Sequence, residues 1–162
     1  MRPIALLFLA LPAAAAPLPQ AAPRLTLRVE GIFGQPTTLL GARGGAGFGA
    51  GWRLTDQLSV IADASQRALP GGGSTSVAAG LQATLDITPI APCLELAMVE
   101  FTNSKALGYS LAMRTGAGAD WQLSRWLALG LMVRTYAAFD AEDGTLTGLE
   151  AALRLVFTPG AK

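Results

Sequence analysis

Large apolar side chains alternate with small or charged ones along most of this chain. The clearest stretch runs from residue 117 to 136, where the pattern predicts two β-strands around a very short turn at Ser124–Arg125. After the turn, one face carries Leu127, Leu129, Leu131 and Val133, and the other carries Ala128, Gly130, Met132 and Arg134. Successive side chains of a strand point to opposite faces, so the pattern predicts a strand with one wholly apolar face.

The same alternation recurs in about eight segments. They are residues 25–33, 45–54, 58–67, 77–87, 94–101, 109–121, 127–136 and 149–157. Short turns are predicted after Leu54, Ile87 and Leu123, and longer connections near Pro36, Gly72, Ser104 and Glu142. Composition predicts a loop at Pro70–Ser76, and two prolines predict a turn at Thr88–Pro92.

Eight strands that each carry a small and charged face cannot all lie against one soluble core, so that face has to be enclosed. An even number of strands, apolar outside and polar inside, is typical of a membrane barrel. We therefore predict an all-β fold, an eight-stranded antiparallel up-and-down transmembrane β-barrel, over residues 24–157. The mean hydropathy is high, at +0.42, yet no apolar run long enough for a membrane-spanning helix follows the N-terminal region. Alternating strands are the remaining way to place these apolar residues in a membrane.

The first 22 residues have the features of a secretory signal followed by a short leader. Arg2 supplies a positive charge, residues 4–11 an apolar core, and Ala13–Ala16 small side chains for cleavage. We expect this segment to be removed on export. Residues 158–162 are expected to form a short C-terminal tail.

Charge and cysteine content narrow the function classes. The chain has 12 Lys and Arg against 11 Asp and Glu, so a nucleic-acid-binding face is not expected. The single cysteine, Cys93, cannot form an internal disulfide. It is predicted to be a small residue near a turn, with pairing to another chain as the alternative.

The predicted inward face collects charges of both signs. Its core members are Arg28, Glu30, Asp63, Arg67, Glu95, Arg114, Asp120, Arg134, Glu150 and Arg154, with Arg53 and Asp86 nearer the strand ends. An eight-stranded barrel is only wide enough for side chains to fill it, and unpaired charges inside would be costly. We expect an ion-pair network that plugs the lumen. The alternative is an ion path gated by pairs such as Glu150–Arg134.

Four aromatic residues are predicted to lie at a membrane interface: Trp52, Trp121, Trp126 and Phe157. Three of them belong to a weak internal repeat, in which Trp52–Val60 matches Trp121–Leu129 in its first tryptophan, leucine and hydroxyl positions. In both copies an aromatic residue comes just before a short turn.

Catalysis, a metal and a cofactor are not expected. The chain has no histidine, which removes Ser-His-Asp, Cys-His and His-metal chemistry. Ion pairing favours the charged form of each inward acid, which suits a structural role better than general acid catalysis. The glycines of Gly45–Gly51 have a period of two and do not match a dinucleotide-binding loop. The carboxylates of the acidic stretch Asp140–Asp143 suit a divalent cation such as Ca²⁺, but the stretch lacks the ligand count and glycine spacing of a known site, so a solvated loop is expected.

Three segments carry a resemblance to a known group: the Gly45–Thr55 hairpin, its echo at Gly116–Leu127, and the closing strand Leu149–Phe157. The chain resembles the small eight-stranded outer-membrane barrels of the OmpA-like and opacity-type superfamily. The resemblance implies a Gram-negative outer membrane, contact with its lipids, and delivery by periplasmic chaperones and the barrel-assembly machinery. One departure is that residues 158–162 follow Phe157, where the family commonly ends on an aromatic.

The resulting functional hypothesis is a structural or surface-interaction protein that is not an enzyme. One alternative is a narrow ion or small-solute channel with the same fold. Another is a secreted, lipocalin-like barrel that binds a small ligand, which would need an apolar interior and a polar exterior.

Overall fold

Eight β-strands make up the described part of the protein. The structure is a computed structural model that describes residues 25–35, 43–69, 72–85, 89–102, 111–139 and 146–159. The strands are β1 (Leu25–Gln35), β2 (Arg43–Arg53), β3 (Leu58–Leu69), β4 (Gly72–Thr84), β5 (Ile90–Thr102), β6 (Leu111–Gln122), β7 (Leu127–Ala138) and β8 (Leu146–Phe157). The predicted signal, leader and acidic stretch lie outside the described residues.

The strands form one closed antiparallel barrel in chain order. Each strand pairs with the next, and β8 returns to β1 through a ladder that runs from Leu27 opposite Phe157 to Gln35 opposite Leu149. A single irregularity, between Tyr136 and Ala137, interrupts the β7–β8 pairing. The predicted eight-stranded, up-and-down barrel is therefore confirmed.

The two ends of the barrel differ in their connections. At the turn end, where β2, β4 and β6 finish, the amides of Leu54 and Thr55 both donate to the carbonyl oxygen of Leu58. The β6–β7 turn repeats this arrangement, with the amides of Leu123 and Ser124 donating to Leu127. The weak sequence repeat thus corresponds to two turns with the same hydrogen bonds. We call the opposite end, where β1, β3, β5 and β7 finish, the loop end.

Two turn predictions are wrong in their boundaries. β4 already begins at Gly72, so most of the predicted Pro70–Ser76 loop is strand. β5 begins at Ile90 and contains Pro92, which is opposite Ala119 and whose carbonyl oxygen accepts from the amide of Leu85. In both places the alternation of inward and outward positions continues through residues whose composition indicates a turn.

The outer surface of the barrel is apolar. Every strand exposes large hydrophobic side chains, among them Val29, Phe48, Val60, Leu81, Leu94, Leu131 and Leu153. Among the residues described, none forms a helix long and apolar enough to cross a bilayer. The side chains that could carry chemistry point to the other face of the strands, into the lumen.

Candidate functional site in the barrel lumen

The inward positions of six strands, all except β2 and β4, bring the ten predicted charged residues into one enclosed space. All ten are buried, and each belongs to a strand whose outward positions are mostly apolar. The set contains five arginines and five carboxylates, so these groups carry no net charge. Their ion pairs form a central layer with an extension toward each end.

Arg134 is the hub of the central layer. Its guanidinium donates to both carboxylate oxygens of Glu30, at 2.6 and 2.9 Å, and to Glu95 at 3.2 Å. A fourth contact joins Arg134 Nη1 to an oxygen of Glu150 at 3.6 Å. A two-pronged guanidinium–carboxylate contact is the strongest and most directional ion pair available to these side chains. One arginine of β7 therefore ties together acids of β1, β5 and β8.

Arg114 holds the other side of the central layer. It donates to both oxygens of Asp63, at 3.0 and 2.6 Å, and its Nε lies 2.6 Å from Glu95. Glu95 is thus shared between Arg114 and Arg134. Because β3, β5, β6 and β7 each supply a member, the charges join strands that are not neighbours in the sheet.

The loop-end extension surrounds Arg67. This side chain donates twice to Glu150, at 2.9 and 2.7 Å, and once to the Tyr136 hydroxyl at 2.9 Å. Its remaining nitrogen donates to Ser65 and Ser76, each at 2.8 Å. The guanidinium also lies over the ring of Phe101, 5.6 Å from its centroid. Arg67 therefore uses all of its donors on buried partners.

The turn-end extension contains Arg154 and Arg28, and it is less completely paired. Arg154 donates to both oxygens of Asp120 at 2.8 Å, and its Nη2 lies 2.9 Å from the Cys93 sulfur. Among the described residues, Arg28 donates only to the amide oxygen of Gln82, at 2.9 Å, and the nearest paired carboxylate oxygen, on Glu95, is 4.0 Å away.

Inward glycines create the room for these long side chains. Gly130, Gly116 and Gly45 lie opposite Arg154, Arg134 and Arg67 on the adjacent strands. A methyl group at Gly130 would collide with the Asp120 carboxylate, and one at Gly116 would come 3.1 Å from the Cγ of Arg134. At these three positions the arginine stems occupy the space that a side chain would otherwise need.

The four predicted interfacial aromatics lie on the outer surface at the turn end. Trp52, Trp121, Trp126 and Phe157 are all exposed there. Trp126 and Phe157 pack edge to face with their centroids 5.6 Å apart, which joins the β6–β7 turn to the end of β8. The barrel therefore has aromatic side chains at its turn end, at the depth where a girdle would sit.

Several lumen residues were not predicted. Tyr136, Ser65 and Ser76 complete the partners of Arg67, and Gln82 is the partner of Arg28. Their inward parity is visible in the sequence, but uncharged residues gave no reason to single them out. Cys93 lies inside β5 and is buried, which corrects its expected place near a turn and opposes pairing with another chain. Arg53 is half-buried at the turn end, and Asp86 lies outside the described residues.

The described part of the lumen contains no grouped metal ligands. Within the described ranges, no three Cys, Asp or Glu side chains are grouped as metal ligands. Each acid of the network instead lies within ion-pairing distance of an arginine.

Comparison with known proteins identifies the fold. No family model matches the chain, and no curated protein matches its sequence. A designed transmembrane β-barrel superposes with a TM-score of 0.61 at 15% identity, covering 85% of this chain and 97% of the other. Neisserial surface protein A has a TM-score of 0.58 at 14% identity, with coverages of 83% and 96%. The N-terminal barrel domain of OprF from Pseudomonas aeruginosa has a TM-score of 0.58 at 14% identity, with coverages of 82% and 96%.

At such low identities the likeness concerns the fold. The short turns, the apolar outer wall and the charged interior have their counterpart in that architecture. The chain therefore has the fold of the small eight-stranded outer-membrane β-barrels, as its resemblance to them predicted.

Proposed function

We propose that this protein is a structural or surface-interaction component of a Gram-negative outer membrane, with a lumen plugged by ion pairs. The observation that carries the proposal is the buried network centred on Arg134, Glu95 and Arg114. It crosses the middle of the lumen between non-adjacent strands. An open pore would have to hold water there instead of ion pairs.

The energetics of the network support a plug. Breaking one member of a buried ion pair leaves an uncompensated charge and typically costs about 3–5 kcal/mol. Moving Arg134 aside would strand Glu30 and weaken the pairing of Glu95 and Glu150 at once. A pathway through the centre would therefore have to break several pairs together, which disfavours spontaneous opening.

The outer wall supports the membrane location. Apolar side chains facing outward on all eight strands would be costly in water and favourable in lipid. Closure of the barrel satisfies the backbone hydrogen bonds that a membrane cannot. Delivery by periplasmic chaperones and the barrel-assembly machinery, and removal of residues 1–22, remain part of the proposal through the family resemblance.

An enzymatic role is not part of this proposal. The network pairs each buried carboxylate with an arginine, so none is left as a free general acid or base. A lipocalin-like ligand binder fits poorly for a related reason, because its lumen would have to be apolar.

A narrow channel is the second candidate, and one observation favours it. At the turn end the inward residues Arg53, Ser59, Gln82 and Thr84 are only half-buried, so solvent contacts the rim of the lumen from that side. If the central pairs rearranged, this entrance would lead into them.

Two measurements test the proposal. Outer-membrane fractions run on a denaturing gel, with and without heating, should show a mobility shift, since a closed barrel has no edge from which to unzip. The purified protein in planar lipid bilayers should show no discrete current steps. A matched variant, Arg134→Gln, should raise the frequency of steps if the pairs are what closes the lumen. Discrete steps in the unaltered protein would favour the channel, and a soluble protein without a shift would contradict the barrel in a membrane.

A further inference from the structure

The lumen opens toward solvent at the turn end through a ring of half-buried polar residues. These inward side chains are Thr26, Arg53, Ser59, Gln82 and Thr84, which we call the vestibule. At the loop end, by contrast, Ser74, Ser76, Phe101 and Tyr136 are buried. A small solute can therefore approach the lumen interior from the turn end.

Two buried arginines lie just inside the vestibule. Arg28 is 3% exposed and Arg154 is 0% exposed. They stand on neighbouring strands, because Arg28 is opposite Val156 and Arg154 is opposite Glu30 in the β1–β8 ladder. This register makes them diagonal neighbours on the inward face, within the reach of long side chains.

Both arginines keep donors that no described protein group uses. The Nε and Nη2 of Arg28 and the Nη1 of Arg154 are buried without a hydrogen-bond partner. The Nε atoms of Arg114 and Arg134 also lack one, but the terminal nitrogens of these two arginines already hold carboxylates. Buried guanidinium donors are normally satisfied, because leaving them unpaired costs free energy. Three such donors on two neighbouring arginines indicate an acceptor shared between them.

The surrounding carboxylates are committed elsewhere. Asp120 accepts from Arg154 with both oxygens, and Glu30 accepts from Arg134 with both of its own. Glu95 lies 4.0 Å from Arg28 but only 2.6 Å from Arg114. The acceptor therefore has to come from outside this set of side chains.

We propose that Arg28 and Arg154 form a binding site for a small inorganic monoanion, of which chloride is the simplest, that enters through the vestibule. Of the acids around Arg28 and Arg154, Asp120 is paired with Arg154, while Glu30 and Glu95 are held by Arg134 and Arg114, so one added negative charge improves the local balance at Arg28. A multiply charged anion fits less well, because Glu95 lies close enough to Arg28 to repel it.

Bromide is the probe that tests the site directly. Crystals of the refolded full chain soaked in bromide should show an anomalous peak within hydrogen-bonding distance of both arginines. In detergent micelles, bromide NMR lines should broaden with a saturable component that chloride competes away. Arg28→Gln should weaken this component at least about tenfold, as expected for loss of a charge-assisted contact.

Two variants separate the site from general charge effects. Arg53→Gln removes the same charge from the vestibule rim and should leave the saturable component within about twofold of the unaltered protein. Arg28→Lys keeps the charge but loses the fork of donors, and should bind with intermediate affinity. If Arg28→Gln fails to fold, the anomalous peak and the lysine variant still decide.

Two results would contradict the anion site. Water alone beside the two arginines in bromide-soaked crystals would overturn the proposal. So would broadening that Arg53→Gln abolishes and Arg28→Gln does not, because the anion would then be held at the rim. Neither result bears on the conductance test, so this site and the proposed function can fail separately.

Discussion

The loop-end and turn-end halves of the lumen differ in how completely their buried arginines are paired. Both bury arginines against carboxylates, but Arg67 at the loop end places all of its donors on Glu150, Tyr136 and two serines. Arg28 at the turn end has one hydrogen bond among the described residues and is buried just inside the half-buried vestibule. The end whose arginine is fully paired is buried, and the end whose arginine is partly paired has a half-buried, polar rim. The loop half therefore behaves as a packed core, and the turn half as an entrance.

Removing the hub arginine should give the largest difference. Arg134→Met strands Glu30 and leaves Glu95 and Glu150 with fewer partners, so the free energy of unfolding should fall by about 3–5 kcal/mol. Arg28→Met removes one hydrogen bond to a half-buried amide and should cost about 1 kcal/mol or less. Urea unfolding of the refolded barrels in chloride-free micelles measures both.

A second substitution checks the reason for the Arg134 effect. Adding Glu30→Gln to Arg134→Met removes the stranded carboxylate and should recover part of the loss. If the double variant is no more stable than Arg134→Met alone, uncompensated charge is not the cause. If Arg28→Met lowers the free energy of unfolding as much as Arg134→Met does, the partly paired arginine stabilises the barrel as much as the hub arginine.

The turn half has a half-buried rim, but it is closely packed around the Arg154–Asp120 ion pair. A methyl group at Gly130 would overlap the Asp120 carboxylate and come 2.9 Å from Arg154 Cγ. We expect Gly130→Ala to lower the free energy of unfolding by about 1–3 kcal/mol. Gly31→Ala is the matched control, because a methyl there meets nothing within 4 Å. It should be neutral or stabilise by up to about 1 kcal/mol in the same urea titration. Equal effects at both glycines would show that the backbone, and not the ion pair, sets the cost.

Cysteine labelling compares the accessibility of the two halves. In a Cys93→Ala background, Thr84→Cys in the vestibule should react with a small water-soluble thiol reagent at least about tenfold faster than Ser76→Cys at the loop end. The reason is that Thr84 is half-buried and Ser76 is 1% exposed. Unfolding in urea should bring the two rates together. Similar rates in the folded barrels would mean that solvent reaches both halves equally.

Alternation in the sequence was sufficient to predict which side chains enter the lumen. Parity identifies an inward residue without knowledge of its partners, because side chains of a strand alternate whatever the strand pairs with. The partners themselves depend on the stagger of strands around a closed barrel. Glu30 meets Arg134 across 104 residues of sequence, and the predicted Glu150–Arg134 pair is the longer of the two Glu150 contacts.

Composition misled the prediction where it disagreed with parity. The glycines and serines at 71–76 indicate a loop, yet Ser74 and Ser76 continue the inward positions of β4. In a narrow barrel, small residues are needed where an arginine such as Arg67 crosses the lumen. A loop-like composition can therefore mark a crowded strand, and Ser76, one uncharged partner of Arg67, was missed for this reason.

The last substitution tests how much the loop half depends on one hydroxyl. Tyr136→Phe keeps the ring, which lies edge to face with Phe101 and 5.8 Å from the Arg67 guanidinium carbon, and removes an acceptor of Arg67. The loss of one buried hydrogen bond should lower the free energy of unfolding by about 1–2 kcal/mol. Tyr136→Leu, which also removes the ring, should cost more, and urea unfolding measures both. If Tyr136→Phe is neutral while Tyr136→Leu is costly, the loop half is closed by packed rings, and complete pairing of Arg67 is not what seals it.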